Sequence, residues 1–216
     1  MNLEGMTLRR DPYVVGIAPA VMKPEIHEGL CRKWPSEETV KWAKMGEGYN
    51  KLSLSERNNP SVYAAHINSS NTWKRVHQHI KSAAFIQVVF EALQRQKVKI
   101  VGGYAGNFQS RWELSSMPAD GGYIRPHRDI ASKVITIVVP CGGFEWGMDV
   151  LKPRQRDLRD YEPDWTKFDV IERLTAPPCG AVVFIKNDQS WHSVGPMTGP
   201  SGQWRRSLTI NIERKG

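Results

Sequence analysis

The sequence predicts a mainly β fold preceded by α-helices, and the prediction depends on two observations. After Lys99, short apolar segments alternate with glycine, proline, aspartate and asparagine, a rhythm typical of antiparallel sandwiches and barrels. Before that residue, apolar side chains recur mostly at helical spacing. The length of 216 residues fits one domain, in which residues 1–99 form a mixed, mostly helical support region and residues 100–216 form the β core.

The N-terminal region contains three segments with helical patterns. The first, residues 23–35, has a proline in its first turn and stops at another proline. Residues 71–80 and 82–96 each carry one apolar stripe, from Trp73 to Ile80 and from Ile86 to Leu93. The segment "YVVGIAP" predicts a strand, whereas residues 41–61 are polar and rich in turn residues and predict a loop.

Eight segments after residue 98 have the length and composition of strands. The polar insert 152–167 interrupts them and is too long for a hairpin turn, so it predicts a surface loop or a lid. The strand segments are "KIVGGY", "RWELSSM", "GGYIRPH", "KVITIVVP", "EWGMDVL", "FDVIERL", "GAVVFI" and "RRSLTINI".

Composition limits the class of protein. The net charge of +8 would suit a polyanionic partner, but the basic residues are dispersed along the chain. The three cysteines show no CxxC spacing, which argues against a zinc finger or a disulfide framework and favours a reduced setting. The N-terminal stretch is a poor signal peptide, and no apolar run reaches membrane length. A cytoplasmic protein without membrane contact is therefore expected.

His127 and Asp129 lie just before a strongly apolar segment. In a strand, residues i and i+2 point to the same face, so an imidazole and a carboxylate would share one side and could hold a divalent metal. The pattern is weak alone, since about one chain in four of this composition contains it by chance. A surface His–Asp pair is the alternative. His77 and His79 have the same spacing in a helical pattern, where their rings diverge.

A third metal ligand and a carboxylate receptor follow later in the chain. His192 comes shortly after the segment "GAVVFI", and two imidazoles with one carboxylate form the facial site typical of non-haem iron(II) oxygenases. Arg205 and Ser207 are again at i and i+2, and a guanidinium beside a hydroxyl is a good receptor for a carboxylate. Arg206 alternates with them and is predicted to face the other way, towards solvent.

These motifs together resemble the 2-oxoglutarate- and iron(II)-dependent dioxygenases, especially the prolyl-hydroxylase-like branch. In that branch a Gly-Gly-Tyr-x-x-Pro-His-x-Asp motif precedes a buried strand, a second His lies in a Trp-His-x-Val setting, and Arg-x-Ser follows. The segments "GGYIRPHRD", "SWHSV" and "RRSL" match in the same order. The resemblance covers about residues 110–212.

The resemblance implies a double-stranded β-helix, a cupin-like jelly roll with iron near its open end. It implies that His127, Asp129 and His192 bind Fe(II). Arg205 and Ser207 would bind the distal carboxylate of the cosubstrate 2-oxoglutarate, while Tyr123 would contact the cosubstrate, line the substrate pocket or simply pack. With O2, such an enzyme hydroxylates a C–H bond and releases succinate and CO2.

The sequence says less about the substrate. Arg111 and Glu113 share a strand face ahead of the metal motif and could touch substrate, with a surface ion pair as the alternative. Lys133 is expected to extend to solvent rather than face the cosubstrate. The arginines at 154, 156 and 159 in the insert suggest an anionic small molecule. The nucleic-acid-demethylating branch usually has Asn at the position of Ser207 and Arg at that of Asn211, which counts against nucleic acid here.

A small-metabolite hydroxylase is therefore the predicted function. Three alternatives stay open from the sequence: a peptidyl or prolyl hydroxylase, a non-oxidative, cupin-like protein that binds a metal or ligand, and a peptide-binding protein that has kept the fold but lost catalysis. The second alternative would not need the Arg-x-Ser carboxylate receptor after the distal His. The sequence makes no prediction about the oligomeric state.

Overall fold

The structure is a computed structural model that describes residues 1–44, 46–100 and 105–216. Helices α3 and α4 are capped by serines, whose hydroxyls accept hydrogen bonds from the backbone N–H groups of Trp73 and Phe85. The first two helices instead begin at a proline, which suits the first turn. The helices are α1 (Pro24–Arg32), α2 (Pro60–Asn68), α3 (Asn71–Ile80) and α4 (Ala83–Arg95).

Two antiparallel sheets form the β part of the fold. The strands are β1 (Thr7–Arg9), β2 (Val15–Ala18), β3 (Ala43–Lys44), β4 (Tyr49–Asn50), β5 (Leu52–Ser55), β6 (Phe108–Pro118), β7 (Tyr123–His127), β8 (Lys133–Gly143), β9 (Met148–Pro153), β10 (Phe168–Leu174), β11 (Ala181–Ile185), β12 (His192–Val194) and β13 (Trp204–Arg214). The larger sheet has the order β1-β2-β11-β8-β13-β6-β5-β3, and the smaller sheet has the order β10-β9-β12-β7-β4.

The central strands of the large sheet separate an apolar layer from a polar one. On β13, Leu208, Ile210 and Ile212 are fully buried in the main core, which also holds apolar side chains from α3 and α4. The alternate residues of β13 line a cavity on the other side of the sheet. Strand β8 shows the same division, since Ile135 and Ile137 join the core while Thr136 lines the cavity. The helices therefore pack against one face of the large sheet, and the cavity lies on the opposite face.

The mainly β fold with N-terminal helices is confirmed, with three local differences. Residues 41–61 hold β3, β4 and β5, and α2 starts at Pro60, so the loop prediction for this segment is wrong. The segment "YVVGIAP" contains β2, as predicted, whereas β1, which the sequence analysis did not predict, pairs with β2 at the edge of the large sheet. In "KIVGGY", the first two residues are not in a strand, and residues 101–104 lie outside the described residues.

None of the helices in the described part of the chain has the length and apolar content needed to cross a bilayer.

Candidate active site

A cavity of about 580 Å³ lies between the two sheets. Strands β6, β8 and β13 of the large sheet provide one wall, and β7 and β12 of the small sheet provide the other. Predicted site residues from four separate segments line it: Arg111, Glu113, His127, Asp129, His192, Arg205 and Ser207. The fold thus brings together side chains that the sequence places up to 96 residues apart, from Arg111 to Ser207.

His127 and His192 face each other across neighbouring strands. They are direct partners in the pairing of β7 with β12, and their ring centroids are 4.2 Å apart. Each Nδ1 lies 2.9 Å from a backbone carbonyl, that of Arg125 for His127 and that of Ser190 for His192. An N–H on each Nδ1 satisfies these contacts and leaves each Nε2 free as a metal ligand.

Asp129 lies near these two histidines, but it is not in a strand as predicted. Strand β7 ends at His127, so Asp129 lies in the irregular segment that follows and not on the same strand face. Its carboxylate is buried and held from two sides, by the Lys133 ammonium at 2.7 Å and by the Thr136 hydroxyl, which donates at 2.9 Å. The solvent-directed orientation expected for Lys133 is therefore wrong, because its ammonium pairs with the carboxylate inside the cavity.

The three side chains meet in a metal-binding arrangement. One ligand atom from each of His127, Asp129 and His192 lies within 4.8 Å of the others. Burial lowers the pKa of His127 to about 3 and also lowers the pKa of His192. Burial alone would raise the pKa of Asp129, but the charge of Lys133 and the two imidazoles bring it well below its ordinary value. Neutral imidazoles and an ionised carboxylate are the ligating forms.

Arg205 and Ser207 lie in the same cavity, on β13. The Arg205 side chain is buried, its Nε donates to the Trp146 carbonyl at 2.7 Å, and its Nη1 donates weakly to the Ser207 hydroxyl at 3.4 Å. Burial lowers the pKa of Arg205 to about 10, so it stays protonated at neutral pH. Across the described ranges, no carboxylate lies within ion-pair distance of this guanidinium. The charge of Asp149 raises the pKa of Arg205, but that carboxylate pairs with Arg173. Arg205 is therefore a buried cation without an ion-pair partner among the described residues.

Arg111 and Glu113 also line the cavity, but they do not pair with each other. Arg111 contacts Glu213 at 3.1 Å, and Glu113 accepts from Lys51 at 2.5 Å and from the Ser115 hydroxyl at 2.7 Å. Burial raises the pKa of Glu113 and the Lys51 charge lowers it, with a net lowering. Both residues face the cavity, and each has its charge balanced by a neighbour.

Tyr123 is placed apart from the cavity lining. His192 pairs with His127 and Val194 with Ile124, so β7 has one residue more than β12 between these points. This bulge breaks the alternation, and the Tyr123 ring packs against Trp165 at 5.9 Å. Two tyrosines that the sequence analysis did not select, Tyr49 and Tyr161, line the cavity instead.

The insert 152–167 covers part of the cavity. Tyr161 forms a β-bridge with His127. Two backbone hydrogen bonds flank this bridge: Arg128 N donates to Asp160 O at 2.7 Å, and Glu162 N donates to Pro126 O at 2.9 Å. A side chain at position 48 would collide with the Tyr161 hydroxyl, so Gly48 allows the tyrosine to lie against the chain just before β4. The arginines of the insert do not line the cavity: Arg154, Arg156 and Arg159 are all exposed.

Comparison with solved structures shows similarity over nearly the whole chain. A prolyl-4-hydroxylase from Pseudomonas putida matches with a TM-score of 0.54 and 16% identity, over 93% of this chain and 92% of that one. An oxidoreductase of the 2OG-Fe(II) oxygenase family from Burkholderia pseudomallei matches with a TM-score of 0.55 and 12% identity, over 93% and 84%. HygX from Streptomyces hygroscopicus, solved with nickel and 2-oxoglutarate, gives 0.55 and 6%, over 93% and 83%.

No protein-family model matches the sequence, and no curated protein is similar in sequence. The likeness is therefore one of three-dimensional structure. The chain has the jelly-roll fold of the 2-oxoglutarate- and iron(II)-dependent oxygenase structures.

Proposed function

We propose that this protein is an iron(II)- and 2-oxoglutarate-dependent oxygenase that hydroxylates a C–H bond of a small molecule. The cosubstrate is converted to succinate and CO2 in the same turnover. The observation that carries the proposal is the buried Arg205 guanidinium, which has no ion-pair partner among the described residues and shares one cavity with His127, Asp129 and His192. A dicarboxylate with a metal-binding keto acid at one end would satisfy both features at once.

The residues present fit a ferrous ion. Two imidazoles with free Nε2 atoms and one buried carboxylate form a facial donor set, and each ring is oriented by a backbone carbonyl. Both Asp129 oxygens accept hydrogen bonds, but each carboxylate oxygen has a second lone pair for a metal. When bound, the ion supplies the redox chemistry that activates O2 and drives oxidative decarboxylation of the keto acid.

The protein's own groups bind and orient the cosubstrate. The Arg205 guanidinium would grip the distal carboxylate with N–H groups that have no partner in the described part of the chain, and the Ser207 hydroxyl lies beside it. Lys133 and Thr136 hold Asp129 ionised and fixed. The insert around Tyr161 limits the access of water to this end of the cavity.

The space available supports a small substrate. The cavity of about 580 Å³ is within the range of about 300–1,000 Å³ that holds small ligands, and part of it would be taken by the cosubstrate. Two ion pairs also line the cavity, Lys51 with Glu113 and Arg111 with Glu213. Because these pairs present both signs of charge, they do not favour the anionic substrate expected from the insert.

The test is succinate release from 2-oxoglutarate by the full-length protein with Fe(II), ascorbate and O2. A library of small metabolites and proline-containing peptides would be added, and mass spectrometry would search for products that gain one oxygen. We expect succinate and an oxygenated small molecule in equal amounts. His127→Ala should abolish both, whereas His79→Ala, a histidine on the exposed side of α3, should retain them.

Metal and 2-oxoglutarate binding without succinate release for any substrate would instead identify a non-oxidative binding protein. Oxygenation of a peptide alone would replace the small-molecule substrate with a peptidyl one and leave the reaction class intact.

A further inference from the structure

A second cluster of reactive side chains lies on the other side of the large sheet. His27 and Cys31 are four residues apart on α1 and so share one helix face, and Cys141 is on β8 beneath them. One ligand atom from each lies within 4.8 Å of the others. Cys141 is fully buried, while Cys31 is half-buried. The two thiols are 110 residues apart in the sequence and adjacent in the fold.

His27 is held as a partner for the Cys31 sulfur. Its Nε2 lies 2.6 Å from the Pro140 carbonyl, which requires an N–H at that nitrogen. The neighbouring Cys31 raises the pKa of His27, and the neighbouring Cys141 and His27 lower the pKa of Cys31 far below its ordinary value. The pKa of the buried Cys141 is raised by the same pairing. The half-buried Cys31 is therefore the more acidic of the two thiols, and the buried Cys141 is the less acidic one.

The orientation of the imidazole favours thiol chemistry over metal binding. The Cys31 sulfur is 3.8 Å from Nδ1 and 3.7 Å from Nε2. If a metal were bound by both Nδ1 and the sulfur, it would lie in the ring plane, along the direction of the Nδ1 lone pair. The sulfur would then be much farther from Nε2 than from Nδ1. The near-equal distances do not have that geometry, and Nε2 is already occupied by the Pro140 carbonyl.

We infer that Cys31 and Cys141 form a peroxide-sensitive redox site, in which Cys31 is oxidised first and Cys141 closes a reversible disulfide. The Cys31 thiolate attacks one oxygen of hydrogen peroxide, giving a sulfenic acid and releasing hydroxide. The Cys141 sulfur then attacks the Cys31 sulfur, losing its proton, and the hydroxyl leaves as water. Two thiols and one peroxide thus give one disulfide and two waters. A half-buried, activated cysteine next to a second thiol is the arrangement expected of a redox-responsive pair.

The disulfide would connect α1 to the strand that supports Arg205. Cys141 is two residues before Gly143, which pairs with Arg205 in the register of β8 and β13. The residues after Gly143 also contact β13: Phe144 N donates to the Trp204 carbonyl at 2.7 Å, and the Trp146 carbonyl accepts from Arg205. The redox site itself does not rest on the proposed oxygenase function, and its test needs no turnover.

The test treats reduced, full-length protein with hydrogen peroxide and follows intact mass and peptide maps. We expect a product lighter by two hydrogen atoms with a Cys31–Cys141 cross-link, reversed by dithiothreitol. Cys141→Ser should instead accumulate a Cys31 sulfenic acid that dimedone traps. His27→Gln should slow the oxidation of Cys31 by roughly tenfold, since it removes the imidazole that lowers the pKa of this thiol.

Cys179→Ser is the matched control, because this third cysteine lies outside the cluster and its loss should leave the cross-link unchanged. Equal oxidation rates at Cys31 and Cys179, or peroxide treatment without a Cys31–Cys141 cross-link, would overturn the inference. So would stoichiometric binding of Zn²⁺ to the reduced protein that disappears in Cys141→Ser, because it would make the cluster a metal site.

Discussion

Adjacent arginines on β13 lie in opposite environments. Arg206 points away from the cavity and forms a two-point contact with Glu37, with both N···O distances at 2.8 Å. Arg205 points into the cavity, is buried and has no carboxylate within reach in the described ranges. The two side chains have the same chemistry and nearly the same sequence context, yet only one has its charge balanced by the protein.

The difference assigns separate tasks to the two faces of β13. The face with Arg206 and Leu208 contacts Glu37 and packs into the apolar core, so it stabilises the fold. The face with Arg205 and Ser207 leaves a buried charge uncompensated, which costs free energy unless a ligand supplies the counter-charge. Substitutions on the two faces should therefore affect different measured quantities.

Arg205→Met should have the largest effect, and on affinity. Removing one partner of a buried charge pair costs about 3–5 kcal/mol, so 2-oxoglutarate should bind more than roughly a hundredfold more weakly. The ligand-free variant should unfold at the same urea concentration as wild type or a higher one, since a buried unpaired charge is lost. Calorimetric titration with 2-oxoglutarate and urea unfolding provide the two measurements. A variant that is destabilised with unchanged affinity would show that Arg205 is structural.

Leu208→Ala should mainly reduce stability. Leu208 is fully buried in the core between β13 and the helices, and truncation of such a leucine costs about 2–5 kcal/mol. Urea unfolding followed by circular dichroism should show this loss. The folded fraction should bind 2-oxoglutarate as wild type does, and a large loss of affinity in folded protein would break the proposed division between the faces.

Arg206→Met should have a smaller, pH-dependent effect on stability. Its loss leaves the buried Glu37 carboxylate with only the Ser116 hydroxyl, at a cost of about 1–2 kcal/mol given the partial exposure of the arginine. Burial raises the pKa of Glu37, but Arg206 and Ser116 lower it to a net value below the ordinary 4.5. The pair therefore stabilises the fold above pH 4.5, and the difference from wild type should shrink as pH falls through the lowered pKa. Urea unfolding across this range would check it, and a pH-independent difference would contradict it.

Ser207→Ala should have the smallest effect. The 3.4 Å contact with Arg205 is long, so the hydroxyl should contribute about 0.5–1.5 kcal/mol, a few-fold in 2-oxoglutarate affinity. Titration calorimetry against Thr209→Ala, a neighbour on the same strand face, would isolate this contribution. An effect as large as that of Arg205→Met would mean that Ser207 is itself a principal contact.

Strand periodicity explains which parts of the site were predictable from sequence. Arg205 and Ser207 share a face, and Arg206 takes the other, because side chains alternate along a regular strand. His127 and His192 come together because they are register partners in neighbouring strands, which no spacing along the chain specifies. Asp129 lies near them but on the irregular segment after β7, so the strand-face argument for its placement was wrong.

Irregular and long-range features were not predictable. The bulge in β7 moved Tyr123 out of the cavity lining, and Tyr161 enters through an insert that carries no regular pattern. Cys31 and Cys141 lack a recognisable spacing because a helix–sheet contact, and not a local motif, brings them together. Polar clusters that depend on tertiary packing leave little signal in one sequence.

Coupling between metal and 2-oxoglutarate binding tests the central claim most directly. If His127, Asp129, His192 and Arg205 form one site, both ends of the keto acid are held only when the metal is present. Anaerobic calorimetry should show one 2-oxoglutarate per chain, bound at least roughly tenfold more tightly with Fe(II) than without it. Equal affinity with and without the metal, or no binding in either state, would contradict the account.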